Sequence, residues 1–487
     1  EIAALESDAA FSAAVPIVGS HYPCDRDPPS SLWDLRPPIA FWANEDFSTI
    51  GGDWQGASCW GRSLLQNFVK LNATSTVSWS TIWSVPDSYR YFGNGLMYAF
   101  EPWSGNYTLP PAVWTTAHVT QFAAPGWRFV ADGGAGLLAQ GGSYTAMVPP
   151  PDPPNRDGAT TGAAEGWQQA GSGERRTVER AKRGDVSLII EKLEGSCLRC
   201  HVPPTVAETV FFQLAGSLAQ VRSLAMWLTN STHSFVRLAD VPVSSSGAFS
   251  VYVPRDTMIT LTTTTGQAKG ASAGIPHYTP HPFPYTEDYD STPLHHPGVF
   301  HADNGGSFEV VSSVGGGGGH ELLQASPLYP AGTQWSDNYD PITSIGATDW
   351  TNFDCSAHVQ IVGTPPAYAL RDPATAARLP ERSGRRPDVT ADLDPIATGA
   401  YAGICVRQID QYDSGFCLLA GRGLVGRGNV SGGGAVGWVL QAGTAGMRRS
   451  PGTILAHGAL PSGDDGDLST WRTLSLGVRG QRLRAAI

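Results

Sequence analysis

The chain has 487 residues, enough for two or three domains, and carries 43 Asp+Glu against 32 Lys+Arg. An acidic and sparsely charged chain disfavours a nucleic-acid phosphate backbone as partner. No apolar run approaches the roughly 18 to 20 residues that a membrane span needs, and no signal peptide can be read at Glu1. The 57 Gly and 37 Pro suit a loop-rich, strand-rich fold, and 15 Trp suit a carbohydrate enzyme without proving one. Sequons at Asn72, Asn106, Asn230 and Asn429 are compatible with the secretory route. The seven cysteines leave one unpaired if the rest form bridges.

In chain order, the first apolar run is Pro16-Ile-Val-Gly-Ser-His21, ending on His21-Tyr22-Pro23. A second, Phe41-Trp-Ala-Asn-Glu-Asp-Phe-Ser48, delivers Glu45 and Asp46 into a loop, and a third, Ser75-Thr-Val-Ser-Trp79, ends on an indole. Between the last two, the spacing of Trp60, Leu64, Leu65, Phe68, Val69 and Leu71 predicts a helix that covers a sheet. Strands that stop on acidic, imidazole and indole side chains, separated by helix-length segments, read as one rim of a (β/α)₈ barrel. Three such units cannot close a barrel of eight strands, so residues 1–125 are either a different fold or the tail of a barrel whose first five strands are absent; the tail, strands six to eight, is the favoured expectation. A carboxylate, a histidine and an indole on one rim suit a sugar, with the carboxylate for chemistry and the indole for the apolar face of the ring.

From 126 to 264 short alternating runs predict an antiparallel β-sandwich: Gly142–Val148, Val186–Ile190, Thr209–Phe212, Phe249–Val253 and Met258–Thr265. A Pro-, Gly/Ala- and Arg/Glu-rich tract at 149–184 reads as a disordered insertion. A Pro/His/Tyr-rich linker covers 265–283. The strand-like 284–487 region, with a low-complexity insertion at 363–399, reads as an all-β, lectin-like jelly roll. The expected fold class is therefore α/β plus all-β.

Several segments, taken together and in order, resemble the galactosylceramidase family of glycoside hydrolases: Val18-Gly-Ser-His-Tyr-Pro23, Trp42-Ala-Asn-Glu-Asp-Phe-Ser-Thr49, Cys59-Trp-Gly-Arg62, Thr74-Ser-Thr-Val-Ser-Trp79, Glu101-Pro-Trp-Ser-Gly105, Ala117-His-Val-Thr-Gln-Phe122, Pro125-Gly-Trp127 and Gly141-Gly-Ser-Tyr144. Weaker similarity runs through Asp349-Trp-Thr-Asn352 and from Trp438 to Ile487. The resemblance implies a barrel, a β-sandwich and a lectin-like domain, with the chain starting before barrel strand six and ending before the last lectin strands. It implies a retaining β-galactosidase acting on galactosylceramide and related galactolipids, with Glu45 as nucleophile. Two carboxyl groups about 5 to 5.5 Å apart would be needed, and the resemblance puts the acid/base upstream of Glu1, so the chain as it stands is expected to hydrolyse glycosides poorly. Glu101 ends an apolar run and is read as scaffold; Asp46 is read as a structural acceptor.

For the substrate, the resemblance implies contacts from Arg199, Trp79, Trp335, Ser48, His21 and Phe92, the last standing near a family tyrosine. It also implies a Cys59–Cys197 bridge. The literal Cys197-Leu-Arg-Cys200-His201 is a C-x-x-C-H haem-attachment pattern, to be weighed against that bridge. For Cys200, a free thiol and a local bridge both remain open, as does the pairing of Cys24, Cys355, Cys405 and Cys417. No cofactor is implied for catalysis; Asp288 and Asp290 resemble ligands of a structural Ca²⁺ in the lectin-like domain. A saposin-like, lipid-presenting partner and a lysosome-like, vacuolar or secreted location also follow from the resemblance. The alternative is a non-catalytic carbohydrate-binding protein using the lectin-like module alone.

Overall fold

The computed structural model describes residues 2–25, 39–46, 52–84, 94–130, 133–150, 184–195, 200, 204–270, 272–305, 307–313, 318–325, 341–347, 349–361, 401–407, 415–421, 437–443, 453–460, 468 and 470–487. The insertion expected at 149–184 lies outside them apart from residues 149, 150 and 184, and that at 363–399 lies outside entirely. The chain forms two compact units that divide between Pro276 and His277.

The first unit begins with two short helices, α1 (Ile2–Ser7) and α2 (Ala9–Ala14). Asp8 caps the second, accepting the Ala10 and Phe11 amides at 2.9 and 3.0 Å. Three parallel strands follow, β1 (Ile17–His21), β2 (Ala40–Asp46) and β3 (Ala73–Ser78), lying side by side in sequence order. The 18-residue helix α3 (Trp54–Leu71) crosses over from β2 to β3. Asp53 starts it by accepting the Gly56 amide at 3.0 Å, and Asn72, in the left-handed region at φ 52°, ends it. Leu5, Ile39, Phe41, Leu71 and Ala73 close one core against this sheet.

The opposite side of α3 meets a large antiparallel sheet. Two two-residue strands, β4 (Ile82–Trp83) and β5 (Met97–Tyr98), and the helix α4 (Pro111–Thr120) precede it. Its strands are β6 (Arg128–Phe129), β7 (Ala135–Leu137), β8 (Ser143–Val148), β9 (Ser187–Glu191), β11 (Ser223–Asn230), β12 (Val236–Pro242) and β14 (Thr257–Thr262), with β10 (Glu208–Gln213) and β13 (Ala248–Val253) forming a separate pair. The order is β12-β11-β14-β9-β8-β6, with β7 also on β8. Burial patterns explain the layers. Every residue of β9 and β14 is buried, because both faces are covered. In β10 and β13 burial alternates, because that pair has one face to solvent. Leu188, Ile190, Ile259 and Leu261 of the large sheet share a core with Val210, Phe212, Phe249, Val251 and Val253 of the pair. On the other face, Met147, Ile189, Leu193 and Met258 meet Leu65 of α3. Gly61 lets the helix come that near, since a Cβ there would lie 2.7 Å from Leu193 Cδ1.

Among the described residues the second unit is built from β-strands. Phe353–Val359, Arg472–Arg479 and Arg482–Ala486 form one antiparallel sheet, and Tyr401–Val406, Phe416–Gly421, Gly437–Ala442 and Thr453–Ala459 another. Leu474, Leu476 and Val478 of the first and Ile404, Val406, Leu418 and Ala420 of the second fill a common core. A cross-strand disulfide, Cys405–Cys417, ties two neighbouring strands of the larger sheet, and Cys355 is a free thiol.

Candidate active site

The carboxyl ends of β1, β2 and β3 bring together three of the residues singled out above. Along β2, Phe41 and Ala43 point into the core, and Asp46 is 4% exposed. Its carboxylate accepts from Asn67 Nδ2 of α3 at 2.7 Å, and the same amide reaches Thr76 of β3 at 3.2 Å. Asp46 is therefore a structural acceptor that locks helix to sheet. A register shift between Ser20 and His21 sets His21 opposite Glu45. Such bulges re-aim side chains at strand ends. The Glu45 side chain is left 30% exposed, with His21 Nδ1 3.6 Å from its Oε2. Trp79 follows β3 directly and donates its amide to the Asp46 carbonyl at 3.2 Å, which ties its backbone to the end of β2.

The described contacts on Glu45 include one that the sequence reading did not single out. The Tyr22 hydroxyl donates to Glu45 Oε1, and the Tyr22 amide donates to the Glu45 carbonyl at 2.9 Å. A hydroxyl on a carboxylate is a charge-assisted bond, stronger than a neutral one. Tyr22 adopts φ 49°, a left-handed conformation that costs a residue of this kind about 1–3 kcal/mol and persists only where the surroundings enforce it. The available signal was position: Tyr22 is the first residue after the strand that ends on His21. Together these groups present one half-exposed carboxylate, oriented by a hydroxyl, with an imidazole alongside. That arrangement can deliver a carboxylate oxygen to an electrophilic carbon while fixing its lone pairs.

Ser48, Phe92, Arg199, Trp335 and Cys197 lie outside the described residues. Cys59 is disulfide-bonded. Cys200 pairs with Cys24, across a separation of 176 residues. It is neither a free thiol nor part of a local bridge, and it has no sulfur left for haem attachment, so the C-x-x-C-H reading fails. Glu101 starts the 3₁₀ turn Pro102–Ser104, and burial holds its carboxyl above the usual range.

In the second unit, Asp288 Oδ1 accepts the Asp290 amide at 3.1 Å and Asp290 Oδ1 accepts the His320 amide at 2.7 Å. Both acids thus serve as turn caps, and among the described residues no group of three or more acidic, His or Cys side chains is placed to hold a metal ion. Two carboxylates already committed to backbone amides do not by themselves make the six- to eight-oxygen shell that Ca²⁺ takes. Among the described residues no helix is long and apolar enough to cross a membrane.

Beside the rim, a polar clamp fastens α3 to the large sheet. Arg62, 4% exposed, donates to the Leu193 carbonyl at 2.9 Å and the Gly195 carbonyl at 2.8 Å. Ser58 accepts the Gly195 amide at 2.8 Å and donates to Asp256 at 2.8 Å. Glu191, fully buried, accepts from Ser143, Gln66 and the Leu193 amide at 2.6, 3.0 and 2.9 Å. Burial raises its pKa, and those three bonds and Arg62 oppose the rise.

Residues 1–121, which carry this rim, match Glycosyl hydrolase family 59. Galactocerebrosidase of Homo sapiens is 30% identical over 367 residues, 73% of this chain and 48% of that protein. Galactocerebrosidase of Macaca mulatta is 31% identical over 373 residues, 74% of this chain and 49% of its own length, and that of Salmo salar 28% over 372 residues, 73% and 50%. The chain spans about half the length of these relatives. A solved glycoside hydrolase family 30 subfamily 8 xylanase, Xyn30A from Clostridium acetobutylicum, superposes with a TM-score of 0.35 at 11% identity, covering 53% of this chain and 51% of that one, too low to bear on the fold. The His21–Glu45 rim lies inside the segment that matches glycosyl hydrolase family 59, residues 1–121, and the similarity to galactocerebrosidases runs well beyond it, over 73% of this chain.

Proposed function

We propose that this chain acts in a retaining β-galactosidase whose nucleophile is Glu45 and whose substrates are galactosylceramide and related galactolipids. The observation that carries the reading is the Glu45 carboxylate itself: half-exposed at the end of β2, bonded by the Tyr22 hydroxyl and flanked by the His21 imidazole. In a double displacement, one Glu45 oxygen attacks the anomeric carbon as the aglycone leaves, and water later hydrolyses the galactosyl ester. Tyr22 holds Oε1, which leaves Oε2, beside the His21 imidazole, as the oxygen that attacks. Trp79 would offer its indole to the apolar face of galactose. Arg199, Trp335, Ser48 and Phe92 complete the sugar contacts in this reading, and Cys59–Cys197 joins β-sandwich to barrel.

The same reading treats β1–β3 as part of a (β/α)₈ barrel and the second unit as a lectin-like jelly roll. It also places the protein in an acidic lysosome-like compartment, with a saposin-like protein presenting the lipid and a structural Ca²⁺ completed by further ligands. An acid is needed only to help a poor leaving group depart, so 2,4-dinitrophenyl β-galactoside tests the nucleophile alone. The expected result is a burst of dinitrophenolate approaching the protein concentration, absent in Glu45→Gln. No burst, or an equal burst in that variant, refutes the assignment.

A further inference from the structure

We propose that the Cys24–Cys200 disulfide is a positioning element for Glu45, acting through Tyr22; its catalytic meaning rests on the glycosidase reading, while its geometry does not. Tyr22 reaches Glu45 from a turn rather than from a strand. Its backbone, at φ 49°, needs an outside constraint. On one side the Tyr22 amide is bonded to the Glu45 carbonyl at 2.9 Å. On the other the chain runs through Pro23 into the 3₁₀ turn Pro23–Asp25, where Cys24, 7% exposed, is bonded to Cys200, 1% exposed. The bridge is thus a covalent anchor two residues from the hydroxyl that orients the carboxylate.

The other end of the bridge shares the same reference. The Pro23–Asp25 turn packs on α3. Upstream of Cys200, Leu193 and Gly195 are pinned to that helix, with Arg62 bonded to the Leu193 and Gly195 carbonyls and Ser58 to the Gly195 amide. Asn67 of α3 holds Asp46, the residue after Glu45. A closed circuit results: Glu45 to Tyr22, Tyr22 through Cys24 to Cys200, the sandwich segment to α3, and α3 through Asp46 back to Glu45. Hydrogen bonds weaken steeply with misalignment, so removing the covalent part of the circuit should free the hydroxyl from Oε1.

A double-mutant cycle on the full chain tests this. The readout is the rate at which a water-soluble carbodiimide and an amine convert Glu45 to an amide, followed by peptide mass spectrometry well below the unfolding temperature. Buried Glu191 reports any global opening. Tyr22→Phe and the pair Cys24→Ser/Cys200→Ser should each raise the Glu45 rate roughly tenfold, and the triple variant should rise no further than either. Cys24→Ala/Cys200→Val replaces the serine pair if that pair fails to fold. A bridge-less protein whose Glu45 reacts at the wild-type rate, or effects that multiply in the triple variant, would overturn the proposal. Failure of Glu45 to give the dinitrophenolate burst would remove the glycosidase reading and leave this cycle standing.

Discussion

Two carboxylates of the first unit make an instructive pair. Glu191 is wholly enclosed, with each oxygen accepting from a neighbour and Arg62 close by. Glu45 sits 30% exposed, bonded at one oxygen by Tyr22, with the second facing an imidazole 3.6 Å away. An enclosed acid bonded at both oxygens holds structure together, because no substrate reaches it. An acid oriented on one side and open on the other can react. The same contrast holds for histidine. His118 is buried between Thr260 and Thr229 at 2.7 and 2.8 Å, whereas the His21 side chain is 55% exposed.

The contrast breaks if the enclosed groups prove dispensable for folding. Arg62→Ala should cost about 3–5 kcal/mol in urea unfolding, because it strips one partner from a buried charge cluster. Glu45→Gln should change stability by no more than about 0.5 kcal/mol. Equal costs would erase the distinction.

Burial lowers the His118 pKa to about 3, against 6.5 for the free group. Below 6.5 the unfolded chain takes up a proton that the folded chain refuses. Stability from this residue is therefore complete above 6.5 and falls by about 1.4 kcal/mol per pH unit on the way down toward 3. Glu191, raised by burial, works in the opposite sense, gaining as pH falls through its folded value. The difference in unfolding free energy between wild type and His118→Gln isolates the histidine slope; no difference in slope would mean that His118 is hydrated. The proposed acidic compartment lies inside this window.

On the open side, Tyr22→Phe should leave folding intact and slow transfer of galactose to Glu45 by about tenfold, the value of one hydrogen bond to a charged group. A burst rate like that of the wild type would make Tyr22 ornamental. The second unit offers a further small effect. Asp290→Ala removes a cap on the His320 amide and should cost below about 1 kcal/mol in thermal unfolding. A larger loss that added Ca²⁺ modulates in wild type would revive a metal role for this turn.

Much of the β framework was legible from residue pattern. The apolar run at Val186–Ile190 overlaps β9, whose faces are both covered, and the stripe from Trp60 to Leu71 falls on α3, where Trp60, Leu65 and Leu71 are buried but Leu64, Phe68 and Val69 only partly, the polar Arg62, Gln66 and Asn67 being enclosed instead. Strands β11 and β12 were not read. Asp240 and Pro242 break the apparent pattern of β12, and both are tolerated because β12 is an edge strand. Glu45, His21 and Trp79 could be picked out because each stands at or beside the end of a strand, while the nucleophile role proposed for Glu45 came from the family resemblance alone. For Tyr22 position was the sole signal, and its contact with Glu45 was not legible because it depends on a bulge at Ser20/His21 and a left-handed turn. Nor was Cys24–Cys200, where 176 residues separate two sulfurs that only tertiary packing brings together.

The most direct measurement is peptide mass spectrometry after incubation with 2-deoxy-2-fluoro-β-galactosyl fluoride, whose electron-poor sugar forms the glycosyl ester quickly relative to its hydrolysis. One added fluorogalactosyl group on the peptide containing Glu45, and none in Glu45→Gln, is the predicted result. A label on any other side chain, or retention of the sugar with no covalent adduct, would contradict the account.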